Sequence, residues 1–229
     1  MIGVILAGGK NSRMKGFNKA LLPFPGGELF IERQIRMMSQ VCSELMIVTN
    51  HAEAFSQVIA NDKSNMNITL VADQAVACGP IGGIHAALMH AKENTLWIVA
   101  CDQPFISTAA AVIMEEILHH EKLNAVIPII DGRHQMLHAV YDRNCLNPAA
   151  QLIEEGCFRL SSLLSDIDWK PLNEFFFQNL SIDLQFSQDI DTPEQYASML
   201  HPHASEWRIT ITDGADHKST AAKTPYPAN

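Results

Sequence analysis

The chain has 229 residues, of which 47% are hydrophobic and 18% are charged, a balance that excludes overall disorder and allows a substantial core. Its formal net charge of -9 excludes broad, nonspecific adhesion to nucleic acid or to an anionic membrane, because both need a surplus of Lys and Arg. A small anionic ligand needs only a local cluster of donors and stays possible.

The first residues favour a cytoplasmic protein. The apolar run MIGVILA at residues 1–7 has no basic leader and continues straight into a glycine pair, unlike a secretory signal. No stretch reaches the roughly 18 continuous apolar residues that a membrane helix requires. The five cysteines form no CxxC pair and indicate free thiols in a reducing compartment.

Short apolar runs alternate with helix-length amphipathic segments, which is typical of a parallel α/β sheet. The predicted strands, all rich in Val, Ile or Leu, cover residues 4–7, 45–49, 68–71, 96–100 and 125–129. The predicted helices cover residues 29–42, 54–60, 84–91 and 110–120. Right-handed crossovers would place the strand carboxyl ends at one edge, where open sheets bind ligands. We therefore expect a mostly parallel, doubly wound, Rossmann-like sheet with helices on both faces.

After Pro128 the pattern becomes irregular, and we expect an extension that closes over the edge of the sheet. Its predicted elements are strands at 137–141 and 175–177 and short helices at 149–155 and 160–164.

The last predicted helix covers residues 193–200, with Thr192 as its N-cap and Pro193 in its first turn. Beyond it the sequence has almost no hydrophobic periodicity and cannot bury enough apolar surface to offset its ordering entropy. We therefore expect one functional domain over residues 1–200 and a flexible C-terminal tail over residues 201–229.

The strongest motif is LAGGKNSRM at residues 6–14, followed by Lys19. A strand that ends in Gly8 and Gly9 brings bare backbone N–H groups close to an anion, and Arg13 and Lys19 supply the charge that a triphosphate demands. The spacing fits neither GxxxxGK[ST] nor GxGxxG, so neither a P-loop ATPase nor a dinucleotide fold is indicated. A plain tight turn would explain the two glycines alone, but the two cations favour phosphate binding.

A second motif, CDQP at residues 101–104, directly follows the predicted strand at 96–100. Asp102 would then lie at the ligand edge, where it could hold Mg²⁺ against phosphate oxygens. The alternative is that Asp102 caps a helix that begins near Ser107.

Three weaker signals lie at comparable places. The stretch CGPIGG at residues 78–83 opens a helix whose N-terminus could approach a base or an anion, or it forms only a rigid loop. Asn50 and Asp73 each follow a strand and could bond a ribose or a base edge, although turn formation explains them almost as well. Two acids spaced i, i+2 in DIDTPE at residues 189–194 could join a metal or substrate site, or lie beside a helix cap.

With these motifs in order, the chain resembles the molybdenum cofactor guanylyltransferases, a branch of the nucleotidyltransferases with a dinucleotide-binding-like α/β fold. The resemblance spans roughly residues 2–200 and rests on LAGGKNSRM with Lys19, Asp73, GPIGG, CDQP and DIDTPEQ. The sequence departs from the family at Lys15, where glycine is usual after Arg-Met, and at Asn18, where Asp is common before the lysine.

The resemblance implies an enzyme that transfers GMP from GTP to molybdopterin, with Mg²⁺ as cofactor and Asp102 as its ligand. Transient contact with a molybdenum insertion protein or with apo-molybdoenzymes is implied by resemblance only. The catalytic candidates are Arg13, Lys19 and Asp102. The nucleotide-binding candidates are Leu6, Ala7, Gly8, Gly9, Lys19, Asn50, Asp73, Gly79, Pro80 and Asp102. The substrate candidates are Gly82, His138, Asp189 and Asp191.

Other functions share these motifs. A cytidylyltransferase for the same pterin and a sugar-phosphate nucleotidyltransferase would both need the glycine loop and the Asp, although the pair CDQP and GPIGG favours GTP. A non-enzymatic carrier of nucleotide or pterin is the alternative from another class. Release of pyrophosphate would separate an enzyme from a carrier.

Overall fold

The computed structural model describes residues 1–8, 18–73 and 78–200, which build a mixed sheet covered by helices. Its strands are β1 Ile2–Leu6, β2 Leu45–Val48, β3 Ile68–Val71, β4 Thr95–Ala100, β5 Ala125–Ile130, β6 Arg133–His134, β7 His138–Asp142 and β8 Trp169–Asn173. They follow the order β3-β2-β1-β4-β7-β5-β6, and β8 also pairs with β5. The predicted tail at residues 201–229 lies outside the described residues.

Most of the strands run in the same direction. β1 is parallel to both β2 and β4, and β2 is parallel to β3. β7 is antiparallel to both of its neighbours, β4 and β5, while β5 is parallel to β8. The predicted α/β class with a mostly parallel sheet is confirmed. The expectation that the segment after Pro128 only closes over the edge is wrong, because β7 pairs inside the sheet.

Helices cover both faces of the sheet. They are α1 Phe30–Met38, α2 Ser56–Ala60, α3 Pro80–His90, α4 Thr108–Glu121, α5 Leu146–Glu154, α6 Glu174–Asn179 and α7 Pro193–Leu200. Successive side chains of a strand point to opposite faces. In β4, Trp97 and Val99 accordingly join the core beneath α1 and α4, whereas Leu96 and Ile98 join the core beneath α3 and α5. Among the described residues, no helix is long and apolar enough to cross a membrane.

The strand predicted at residues 175–177 is wrong. These three phenylalanines belong to α6, which begins where the Asn173 side chain accepts a hydrogen bond from the backbone N–H of Phe176 at 3.1 Å. A short aromatic run has no periodicity that separates strand from helix, so the capping asparagine decides. The strand of this region is β8, directly before the helix.

The last helix, α7, begins and ends at the predicted residues. Thr192 and Gln195 form a capping box, in which each side chain accepts a hydrogen bond from the other's backbone N–H, at 3.2 and 3.0 Å. Tyr196 is buried in a small core with Leu22 and Phe30. The packing of α7 therefore brings the acidic segment before it back to the strand ends.

Candidate active site

The ammonium group of Lys19 bonds to two acidic candidates at the carboxyl edge of the sheet. Lys19 Nζ donates to Asp102 Oδ2 at 3.0 Å and also to Oδ1 of Asp191. The lysine lies in a 3-10 turn, Lys19–Leu21, in which the N–H of Ala20 donates to the Asn18 side chain at 3.1 Å. The Lys19 side chain is only 12% exposed, against 20% for Asp102 and 35% for Asp191. The three residues therefore form a half-buried charged cluster that opens to solvent on the side of the acids.

The carboxylate of Asp102 lies on a tight turn at the tip of β4. The strand ends at Ala100, and the N–H of Cys101 still donates to the carbonyl of Leu6 in β1 at 3.2 Å. The N–H of Gln103 then donates back to the carbonyl of Ala100 at 3.2 Å, which closes the turn. Asp102 is therefore presented by the backbone of a central strand.

Asp102 does not cap the following helix. The N-cap of α4 is Ser107, whose hydroxyl accepts a hydrogen bond from the N–H of Ala110 at 3.2 Å. The capping alternative for Asp102 is thus excluded, and its carboxylate is engaged by Lys19 instead.

The acids of the segment before α7 bond to different partners. Asp189 Oδ1 accepts a hydrogen bond from the Gln103 side chain at 2.9 Å, whereas Asp191 bonds to the ammonium. Between them, Ile190 is buried, and its N–H donates to the carbonyl of Asp102 at 2.9 Å. Asp189 therefore bonds directly to the turn at the tip of β4, and Asp191 shares the Lys19 ammonium with Asp102.

Burial and charge shift the ionisation of this cluster. Burial alone would lower the pKa of Lys19, but its hydrogen bonds and charge interactions with Asp191 and Asp102 raise that pKa above the ordinary value. Burial raises the pKa of Asp189, and the nearby charges of Asp102 and Asp191 add to that rise against the hydrogen bond from Gln103. Lys19 is therefore fully charged at neutral pH, while Asp189 is the acid that protonates more readily than usual.

A cleft of about 270 Å³ opens beside the charged cluster. Asp102, Gln103, Asp189 and Asp191 form one wall, and residues 134–137, at the end of β6 and in the link to β7, form another. An elongated polar ligand that reaches Asp102 could extend along this cleft.

The ends of β1, β2 and β3 carry five further candidates. Leu6 ends β1, and Ala7 and the exposed Gly8 follow it. Asn50 is exposed after β2, and Asp73 is half-buried after β3. Because these strands are parallel, the structure brings all five residues to the edge that also carries Asp102.

The glycine-rich stretch before α3 is only partly described. Gly79 is the N-cap of α3 with a φ of +68°, a conformation that favours glycine, and Pro80 is in the first turn. Gly82 is buried in α3 and lines a separate cavity beside Met89 rather than the cleft at Asp102. Gly9 and Arg13 lie outside the described residues.

The expectation that His138 faces the substrate edge is wrong. Its side chain is fully buried, packs between Trp97 and Phe186, and accepts a hydrogen bond from the N–H of Ser107 at 3.0 Å. Burial lowers its pKa to about 3. His138 is therefore a neutral core residue that links β7 to the start of α4.

Two glutamines contribute to the site and were missed from the sequence. Gln103 is part of the CDQP motif, in which only the acid was singled out. Gln34 lies on the buried face of α1 beside Ile31 and Ile35. A polar residue at an apolar position of an amphipathic helix was the signal that could have found it.

The chain is similar to known proteins over most of its length. Residues 3–169 match the family described as the MobA-like NTP transferase domain. A probable molybdenum cofactor guanylyltransferase of Clostridium perfringens (strain 13 / Type A) is 33% identical over 198 residues, which cover 86% of this chain and 94% of that protein. A molybdenum cofactor guanylyltransferase of Desulfosudis oleivorans is 29% identical, with 84% and 91% covered.

Solved structures share the fold. The molybdopterin-guanine dinucleotide biosynthesis protein A of Archaeoglobus fulgidus superposes with a TM-score of 0.74 at 20% identity, covering 90% of this chain and 100% of that one. A Mycobacterium tuberculosis protein solved as a complex with manganese gives a TM-score of 0.60 at 16% identity, covering 87% and 97%. The resemblance predicted from the sequence is confirmed by the family match and by the Clostridium relative. The chain belongs to the MobA-like NTP transferase family.

Proposed function

We propose that this protein transfers GMP from GTP to the phosphate of molybdopterin, which forms the guanine dinucleotide cofactor and releases pyrophosphate. The observation that carries the proposal is the cluster of Lys19, Asp102 and Asp191 beside an open cleft, in a chain whose relatives are named molybdenum cofactor guanylyltransferases. The cluster offers a cation to phosphate and carboxylates to a metal ion.

Lys19 is the proposed contact to the α-phosphate. Its pKa is raised by two carboxylates, so it carries a full positive charge at neutral pH. The stem is half-buried and the turn beneath it is capped, which limits the positions that the ammonium can reach. Phosphate oxygens would compete with Asp102 and Asp191 for its three donors. Arg13 stays a predicted phosphate contact.

Mg²⁺ is the proposed cofactor, and the acids at the β4 tip fit it. Mg²⁺ is usually held by one or two carboxylates together with substrate phosphates and water. Asp102 and Asp191 already share one cation, the Lys19 ammonium, and Asp102 is the carboxylate that would hold the metal. When bound, the metal would neutralise the triphosphate and the charge that develops on the leaving pyrophosphate.

The proposed reaction is a direct displacement. An oxygen of the molybdopterin phosphate attacks the α-phosphorus of GTP, a new P–O bond forms, and the bond to the β-phosphate oxygen breaks. Pyrophosphate leaves with the electron pair of that bond. The attacking phosphate is already anionic, so the protein does not need to remove a proton. Its part is to position the two reactants and to balance charge.

We also infer that residues 1–200 suffice for this activity and that the protein works in the cytoplasm. All five cysteines are free thiols, which supports a reducing compartment. A transient complex with a molybdenum insertion protein or with apo-molybdoenzymes would deliver the product.

The test is turnover with purified protein, Mg²⁺ and GTP labelled in the α-phosphate, with molybdopterin as acceptor. We expect labelled guanine dinucleotide product and an equal amount of pyrophosphate. CTP and ATP serve as competing donors and glucose 1-phosphate as a competing acceptor. Equal or better use of CTP would contradict the guanine assignment, and binding without pyrophosphate release would indicate a carrier.

A further inference from the structure

A buried glutamine of α1 holds the turn that carries Asp102. The Gln34 side chain is fully buried, and its Nε2 donates to the carbonyl of Ala100 at 2.8 Å and to the carbonyl of Gln103 at 2.9 Å. These two carbonyls bracket Asp102 in the chain. One side-chain amide therefore fixes both ends of the turn from which the carboxylate projects.

Further bonds act on the same turn. The Gln103 side chain, 3% exposed, accepts a hydrogen bond from the N–H of Ala100 at 3.3 Å. Next to Gln34, Arg33 Nε donates to the carbonyl of Pro104 at 2.9 Å. Consecutive residues of α1 thus bind the backbone on both sides of Asp102, so the helix and the β4 tip are fixed relative to each other.

The other end of the Gln34 amide makes this arrangement costly. Its Oε1 is buried and accepts no hydrogen bond from a residue in the ranges that the structure describes. A buried acceptor without a partner carries the full cost of its desolvation. Its neighbours on the same helix face, Ile31, Ile35 and Met38, are apolar, so an apolar residue would suit the core better. What the amide provides, compared with an apolar side chain, is the two hydrogen bonds to the β4 turn.

We propose that Gln34 is a positioning residue, which acts through the β4 turn to direct the Asp102 carboxylate toward the metal and the triphosphate. The inference rests on the proposed function of Asp102 and adds a residue that touches neither nucleotide nor metal. Without the two donors, the carbonyls of Ala100 and Gln103 lose their hydrogen bonds to α1, and the turn relaxes. Displacements of about 1 Å at a reacting group are enough to cost about 100-fold in rate.

The variant Gln34→Leu tests this directly, because it keeps most of the volume and removes both donors. We expect kcat to fall about 10- to 100-fold and the Mg²⁺ concentration for half-maximal activity to rise several-fold. The matched control is Ile35→Val, a neighbouring buried position on α1 whose side chain only fills the core. The control should change the melting temperature but not the Mg²⁺ requirement.

A second readout does not depend on the acceptor. Mn²⁺ binding in the presence of GTP, followed by the loss of the free-ion electron paramagnetic resonance signal, should weaken several-fold in Gln34→Leu and not in Ile35→Val. If the wild-type protein binds Mn²⁺ with GTP but transfers no GMP, the proposed function fails while this comparison still decides the role of Gln34.

The outcomes separate positioning from packing. A Gln34→Leu protein that melts lower but keeps the wild-type Mg²⁺ requirement and Mn²⁺ affinity would overturn the proposal. If that variant does not fold, Gln34→Met and Gln34→Glu are measured in the same way. Loss of folding in all three would make Gln34 a core residue only and would equally overturn it.

Discussion

The two carboxylates that bond to Lys19 are supported in different ways. Asp102 follows β4, a central strand that pairs with β1 on one side and β7 on the other. Asp191 lies outside the sheet, between a 3-10 turn at Leu184–Ser187 and the start of α7. Asp102 is held in place by the backbone hydrogen bonds of the sheet. Asp191 is held in place by the packing of the segment around α7.

The second support, the segment that carries Asp191, is held by buried side chains and hydrogen bonds. Ile190 is buried and bonds to the carbonyl of Asp102, and Tyr196 joins α7 to the loop before α1 through its hydroxyl, which donates to the carbonyl of Pro23 at 2.7 Å. The charged cluster thus has two sides. The rigid side is Asp102 at the tip of β4, and the docked side is Asp191 in the segment before α7. Substitutions on the two sides should therefore differ in size and kind.

The largest effect is expected at the rigid side. Asp102→Asn keeps the shape of the side chain but removes its charge, so kcat should fall about 10³-fold while the melting temperature hardly changes. Turnover at saturating Mg²⁺ and thermal unfolding measure the two quantities. A fully active Asp102→Asn enzyme would remove the metal assignment and most of the proposed chemistry.

The variant Lys19→Met tests whether activity depends on the cation that Asp102 and Asp191 share. The variant keeps the stem and removes the ammonium, and we expect kcat/KM for GTP to fall about 10²-fold. The matched control is Lys170→Met, which removes an exposed lysine paired with Glu121. Surface ion pairs contribute little to stability, so the control should leave kcat/KM for GTP nearly unchanged. Equal kinetics for the two variants would mean that Lys19 serves only the fold.

Lowering the pH should reduce the free energy of unfolding through His138, which lies in β7 beside β4. Its pKa is about 3 when folded and 6.5 when unfolded, so below pH 6.5 the unfolded state binds a proton that the folded state does not. Stability is then lost as the pH falls from about 6.5 toward 3, by up to about 1.4 kcal/mol per pH unit for this group. Denaturant unfolding between pH 7 and pH 5 measures the slope. His138→Gln, which keeps an acceptor for Ser107, should flatten it, and an unchanged slope would assign the loss to other groups.

A smaller effect is expected at the docked side. Asp191→Asn removes one of two carboxylates from the ammonium, and we expect about a 10-fold fall in kcat/KM, or roughly 1.4 kcal/mol. The companion Asp189→Asn should be milder, because Asp189 accepts its hydrogen bond from the Gln103 side chain rather than from the ammonium. Losses at Asp191 as large as those at Asp102 would show that both supports are equally essential.

The smallest effect concerns the anchor of α7. Tyr196→Phe removes the hydroxyl that donates to Pro23 and should lower the free energy of unfolding by about 1 kcal/mol. Activity at low temperature should stay close to wild type. A large kinetic loss would indicate that the acidic segment is only marginally docked.

Local patterns predicted several elements around the site well. The runs at β3 and α7 have the predicted bounds, and Asp102 follows β4 as expected, because apolar runs, caps and prolines act over a few residues. The strand ends then share an edge simply because parallel strands point the same way.

Tertiary packing decided what the sequence did not. The residues HAVYD at 138–142 contain no signal for pairing with β4. The position of β7 inside the sheet was therefore not predicted. His138 at its start is polar, yet the pleat turns it toward Trp97 and Phe186. The contact of Lys19 with Asp191 likewise joins distant parts of the chain, and only the docking of α7 brings them together.

The place of β7 also has a consequence for the order of folding. Chain order is β4, β5, β6, β7, but β7 lies between β4 and β5 and pairs with β4 over five residues. During synthesis from the N-terminus, the edge of β4 at Leu96, Trp97 and Ile98 therefore stays unpaired until residue 142 has emerged. An exposed apolar strand edge is a template for association between chains. We expect the nascent protein to be most prone to aggregation in that interval, and the insertion of β7 to be a slow, nonlocal step of folding.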